Sequence, residues 1–176
     1  MSSEQQARKQ ASAPVVVWGL AGIVAILFSA VSRLYPKVEA AMNWDLTPMH
    51  WGFAVWWTVF MLYSEVYRGF YLRFSPCAVA RAWHLGRHPR ALHVVLAPLF
   101  CMGFFHGSRR RLVKSWVLSC LIVCFVLIAH SIPQPWRGLV DLGVVLGLIG
   151  GAGTVLWEAV RALRLGPQGD PELPVR

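Results

Sequence analysis

Acidic side chains are scarce in this chain. It has eight Asp and Glu among 176 residues, against seventeen Lys and Arg. Charged residues of both signs make up 14%, well below the roughly 25% of an average soluble domain. No nucleophile motif, phosphate loop, paired carboxylates or dinucleotide fingerprint is present, which weighs against an enzyme. The four cysteines, Cys77, Cys101, Cys120 and Cys124, form no CxxC pair. They read as small hydrophobes rather than as a disulfide framework or metal site. A small-x-small cleavage site followed by a polar mature chain is also missing, so the first apolar segment is expected to stay in the protein.

What fills the sequence instead is apolar surface. Hydrophobic residues make up 56%, and the mean hydropathy is +0.51. A soluble chain of this size could not bury that much. The apolar residues cluster into segments long enough to cross a bilayer, which takes about 20 residues. The spacing predicts an all-α membrane protein with four spans, at about 15–32, 48–68, 115–131 and 138–160. Residues 1–13 and 165–176 are polar or proline-rich and are predicted to be disordered.

Between the second and third spans lies a basic block. Arg68 to Lys114 holds nine of the seventeen basic residues and no acid. Ser75-Pro76 looks like a helix start. The stretch 75–106 reads as a helix in the headgroup layer followed by a re-entrant or interfacial hairpin, since Pro98 and several histidines break its apolar run. Arg81, Arg87, Arg90, Arg109, Arg110, Arg111 and Lys114 are the expected contacts to anionic lipid headgroups. A net charge of +9 fits lipid better than nucleic acid, because the basic residues border apolar spans. Placing both termini and the block on one side puts fourteen Lys and Arg there and three on the other. The charge-asymmetry rule makes that side cytoplasmic, and a bacterial inner membrane the expected location.

Two packing features stand out. Ala21, Ala25 and Ser29 recur every fourth residue in the first span. Gly143, Gly147 and Gly151 form GxxxGxxxG in the fourth. Small residues at this spacing let another helix approach closely.

Six histidines are candidates for chemistry. His50 and His130 both fall near the outer ends of spans, where two imidazoles could ligate haem iron from opposite sides. His50-Trp51 opening an aromatic-rich span, followed by Glu65 and Arg68-Gly69-Phe70, is similar to the first span of bacterial four-helix cytochromes of the b561 type. That resemblance covers about one helix and implies haem b. Those proteins carry further ligand histidines inside other spans, where this chain offers only His130, and an extra span precedes His50. His84 and His88 lie four apart, a metal-compatible spacing, but beside Arg81, Arg87 and Arg90. Glu65 is the one acid well inside a span, with Arg68 three residues on. It reads as a salt-bridged anchor or as part of a proton or ion path.

Packing features thus outnumber chemical ones. The sequence points to a non-catalytic accessory, scaffold or assembly component without a cofactor, acting with a membrane-protein partner or as a homo-oligomer. The alternatives are a haem-b electron carrier using His50 and His130, and an oligomeric proton or ion pathway using Glu65.

Overall fold

The computed structural model describes residues 11–89, 91–105 and 108–172, without the side chains of Arg110 and Arg111. The described residues are helical, with no strand among them. Helix α1 spans Ala13–Met42 and α2 spans Pro48–Met61. A π-helix, π1, follows at Leu62–Phe74, and α3 at Ser75–Arg87. Two short helices come next, α4 at Ala91–Val95 and α5 at Ala97–Met102. Helix α6 covers Arg109–Ser131 and α7 covers Trp136–Leu165. Three stretches are long and apolar enough to cross a membrane: α1, Leu112–Ser131 of α6, and α7.

Several boundaries differ from the expected ones. Helix α1 does not stop near Ser32. It runs through Arg33, Pro36 and Lys37 to Met42, with Ala41 and the Lys37 carbonyl packed against Gly138 of α7. Residues 48–87 form one continuous helix, where a span ending near 68 and a separate headgroup helix were expected. The Ser75-Pro76 signal marks a change of helix type rather than a new start. Proline has no N–H, and its ring crowds the carbonyl four residues back. Widening the preceding turns relieves that contact, and Ser75 N–H bonds to Phe70 O, five residues back. The wider register also stacks Tyr63 on Tyr67 and Tyr67 on Tyr71, with centroids 5.9 and 6.0 Å apart.

Helix α3 does not lie on a surface. Ser75, Cys77 to Ala82, Leu85 and Gly86 are all buried. Ala78, Val79, Ala82 and Leu85 form the main core with Val16, Leu20 and Ile23 of α1, Phe100 and Cys101 of α5, and Val155 and Ala162 of α7. The 48–87 helix and α7 run parallel, from His50 against Trp136 at one end to Ser75 against Thr154 further along. Helix α1 runs the opposite way. Its Ala41 meets Gly138 and its Val16 meets Gly86.

Glycines on α1 and α7 set these approaches. The Ala21, Ala25, Ser29 stripe is exposed, so it packs on nothing within the described chain. The neighbouring face carries the contact: a Cβ on Gly22 would collide with Pro98 of α5, and Gly19 lies against Cys101 and Ala97. The two chain ends are also tied down where they are described. Ser12 N–H bonds to Gly86 O at 2.9 Å, and Ser108 N–H bonds to Glu172 O at 2.8 Å. Residues 166–172 therefore lie along the protein, not free as expected; residues 1–10 and 173–176 are outside the described residues.

Helix α6 stands apart. Only 6% of its apolar window is buried. It touches the rest near its two ends. Ser115 Oγ bonds to Met102 O at 3.3 Å and Trp116 meets Phe104 edge-on. Farther along, Phe125 stacks on Trp57, and His130 Nδ1 accepts from Arg137 at 3.1 Å.

Replacing Gly22 by Leu forces its side chain into Pro98. We expect a loss of about 1–3 kcal/mol, read as a lower melting temperature in detergent, while Ala25→Leu on the exposed face leaves it unchanged.

Candidate functional site

Apolar packing accounts for most of this interior, so the polar groups inside it are the candidate sites. They fall into three groups: a buried arginine, a seam of acids and hydroxyls beside α7, and histidines near the helix ends.

Arg81 is fully buried, at 0% exposure. The expectation that it contacts lipid headgroups is therefore overturned. Burying an unpaired guanidinium would be costly, so its donors must be satisfied. Nε donates to Phe100 O at 2.7 Å, Nη1 to Pro171 O at 3.0 Å, and Nη2 to Phe105 O at 2.9 Å. The guanidinium also lies 4.3 Å from the Phe100 ring centroid, a cation–π contact. One side chain thus ties α3 to α5, to Phe105 just after it and to the C-terminal tail. The sequence signal was a lone arginine in a run of small apolar residues, Cys77-Ala-Val-Ala-Arg-Ala82. Arg87, Arg109 and Lys114 are exposed. Arg90, and the side chains of Arg110 and Arg111, lie outside the described residues.

The three glycines of α7 face the 48–87 helix, and side chains rather than a second backbone fill the groove. A Cβ on Gly143 would come within 2.6 Å of Trp57, on Gly147 within 2.9 Å of Glu65 Oε2, and on Gly151 within 2.7 Å of Phe70. Trp57 Nε1 donates to Val140 O at 3.0 Å. Two sets of candidate residues thus meet, since Glu65 rests its carboxylate against the bare backbone at Gly147. Arg68 does not join it. It is exposed, and no Glu65–Arg68 ion pair is found among the described residues. In a π-helix the residue three positions on no longer returns to the same face.

Farther along this face Ser75 Oγ and Thr154 Oγ1 are 2.9 Å apart, and Thr154 Oγ1 donates to Gly151 O at 2.7 Å. Four residues on, Glu158 is 3% exposed, with Oε2 3.7 Å from Arg161 and Oε1 lacking a hydrogen bond. Asp141 has the same character nearer the other end. It is 3% exposed, with Oδ2 3.9 Å from Arg137 Nε and no hydrogen bond on either atom. Asp141 and Glu158 lie near opposite ends of α7, and nothing local in the sequence shows that the Ser75–Thr154 hydroxyl pair lies one turn from Glu158.

His50 and His130 lie at the same end of the bundle but do not oppose each other. Trp136 packs edge-on against His50 at 4.6 Å between centroids, and Thr47 N–H donates to His50 Nδ1 at 3.1 Å. His130 is exposed, with Nδ1 held by Arg137. His84 and His88 have ring centroids 5.1 Å apart, and His93 stacks on Phe100. No group of three or more potential metal ligands occurs among the described residues. His106 lies outside them.

Comparison with protein-family models, with characterised proteins and with solved structures finds no match for the chain. The one-helix similarity to cytochromes therefore assigns no family.

Losing the Arg81 guanidinium leaves three carbonyls without their donor. Arg81→Leu should cost on the order of 3 kcal/mol and expose residues 166–172 to protease. Arg81→Lys, with one nitrogen in place of three, should fall between that variant and wild type.

Proposed function

We propose that this chain is a non-catalytic component of a bacterial inner-membrane assembly, acting through helix packing and contacts with anionic lipid. It threads four times, with the 48–87 helix as the second span and both ends on the cytoplasmic side. The alternating directions of α1, the 48–87 helix, α6 and α7 support this reading, as does the excess of Lys and Arg on the proposed inner side. Exposed Arg87, Arg109 and Lys114 are placed to meet phosphate headgroups there.

The observation that carries the assembly role is the bareness of α6. Helices associate in lipid by close van der Waals packing and interhelical hydrogen bonds. Helix α6 has the length and apolarity of a span but meets its own chain mainly near its two ends, leaving its middle to a partner. Cys120 lies in that middle and Cys124 at its edge, beside Phe125; they share one face four residues apart and are exposed, whereas Cys77 and Cys101 are buried. The glycine face of α7 serves the interior of the protein, so the partner belongs on α6.

The native cysteines provide the test. A thiol-reactive bifunctional cross-linker applied to native membranes should give a discrete higher-mass adduct through Cys120 or Cys124, and mass spectrometry would identify it as a second copy or another membrane protein. The adduct should vanish in Cys120→Ser/Cys124→Ser. A protein that stays monomeric at every cross-linker concentration would contradict the assembly role.

A further inference from the structure

We infer that the seam between the 48–87 helix and α7 is a proton-binding site, with Glu65 as the carboxyl that takes up the proton and Glu158 as its entry from the Arg161 end. This goes beyond the assembly role and does not depend on what α6 meets.

Three observations carry it. Glu65 has no hydrogen bond or ion pair among the described residues, and its carboxylate lies in the notch made by Gly147. An acid inside a span marks a functional site by default. It also stands on a π-helix of 13 residues, a form that occurs mostly as single turns and often at functional sites. Glu158 is the independent observation. It is 3% exposed with one carboxylate oxygen unpartnered. It sits on the same face of α7 as Gly147, bracketed by Thr154 and Val155 above and Ala162 below. Its other oxygen is 3.7 Å from Arg161, so the unpartnered one is an open acceptor on the seam.

The groups between the two acids can pass one. Thr154 lies one turn from Glu158, and its hydroxyl pairs with Ser75. From Thr154 to Gly147 is two turns of α7, about 10 Å, a stretch that Phe70 and Val66 fill against Gly151 and Gly150, so passing a proton along it requires Phe70 to swing aside and admit water. A proton taken from the aqueous side neutralises the Glu158 carboxylate and is then passed on. Each hydroxyl gives up one O–H proton as it receives another, so neither changes, and the Glu65 carboxylate ends as a neutral acid. Towards the other end the seam closes over Trp57 and Met61 against Gly143, which offer no comparable relay.

The charged surroundings leave Glu65 without a fixed countercharge. On its own helix Arg68 and Arg73 are exposed, and Arg81 is committed to three carbonyls. Helix α7 carries no charge between Asp141 and Glu158, and Arg161 lies beside Glu158. Helix α1 is uncharged from Ala13 to Ser32, and α6 from Ser115 to Ser131.

Infrared spectroscopy of the full chain in lipid vesicles tests this. Lowering the pH should bring up a carboxylic-acid C=O stretch that is missing in Glu65→Gln. After a pH jump the same band should grow on the order of 10²-fold more slowly in Glu158→Gln. Unchanged melting temperatures would show that both variants fold. Should Glu65→Gln fail to fold, Glu65→Asp should keep the band at a shifted frequency. A spectrum in which no band depends on residue 65 would overturn the site, and equal rates in wild type and Glu158→Gln would overturn the route.

Discussion

The glycine face of α7 is the constraint from which the rest of the structure follows. Without side chains at 143, 147 and 151, the 48–87 helix can seat Trp57, Glu65 and Phe70 directly against the α7 backbone. That contact holds two long helices in parallel over most of their length. It also explains how a partly buried acid can rest against α7, since the notch at Gly147 has room for a carboxylate that any Cβ would crowd. Close approach of this kind is the main attractive force between helices in lipid, where burial of apolar surface contributes little.

The π-helix is the second consequence. Eighteen residues separate Trp57 from Ser75, yet their partners on α7, Gly143 and Thr154, are only eleven apart. A helix with more residues per turn takes up part of that difference. It also turns Arg68 away from Glu65 and lines up Tyr63, Tyr67 and Tyr71 on the outer side. Pro76 fixes the lower end of the wide stretch. The basic segment that follows is then core, with Arg81 tying α3, the hairpin after it and the C-terminal tail together through three carbonyls.

Composition and apolar run length made the membrane class and the all-helical fold legible in the sequence, and GxxxGxxxG marked the right face of α7. Other features were not legible, for identifiable reasons. Periodicity was read at the α-helical spacing, so the π stretch looked like the end of an α-helical span near residue 68 and Glu65–Arg68 like an ion pair. Arg81 looked like a headgroup contact because its neighbours Arg87 and Arg90 are basic; nothing local shows that three carbonyls from residues 100, 105 and 171 converge on it. The Ala21, Ala25, Ser29 stripe had the right spacing, but Gly19 and Gly22, a little way around the same helix, were the residues without which Pro98 could not approach. In each case the deciding partner was distant in the chain.

The register of the 48–87 helix against α7 can be measured directly. A Cβ at Gly147 would lie 3.8 Å from Cβ of Glu65, within the range a disulfide needs. In a chain stripped of its native cysteines, Glu65→Cys with Gly147→Cys should oxidise readily to an intrachain disulfide, and Arg68→Cys with Gly147→Cys should not. Efficient bonding of the Arg68 pair, or none in the Glu65 pair, would contradict the packing on which the whole account rests.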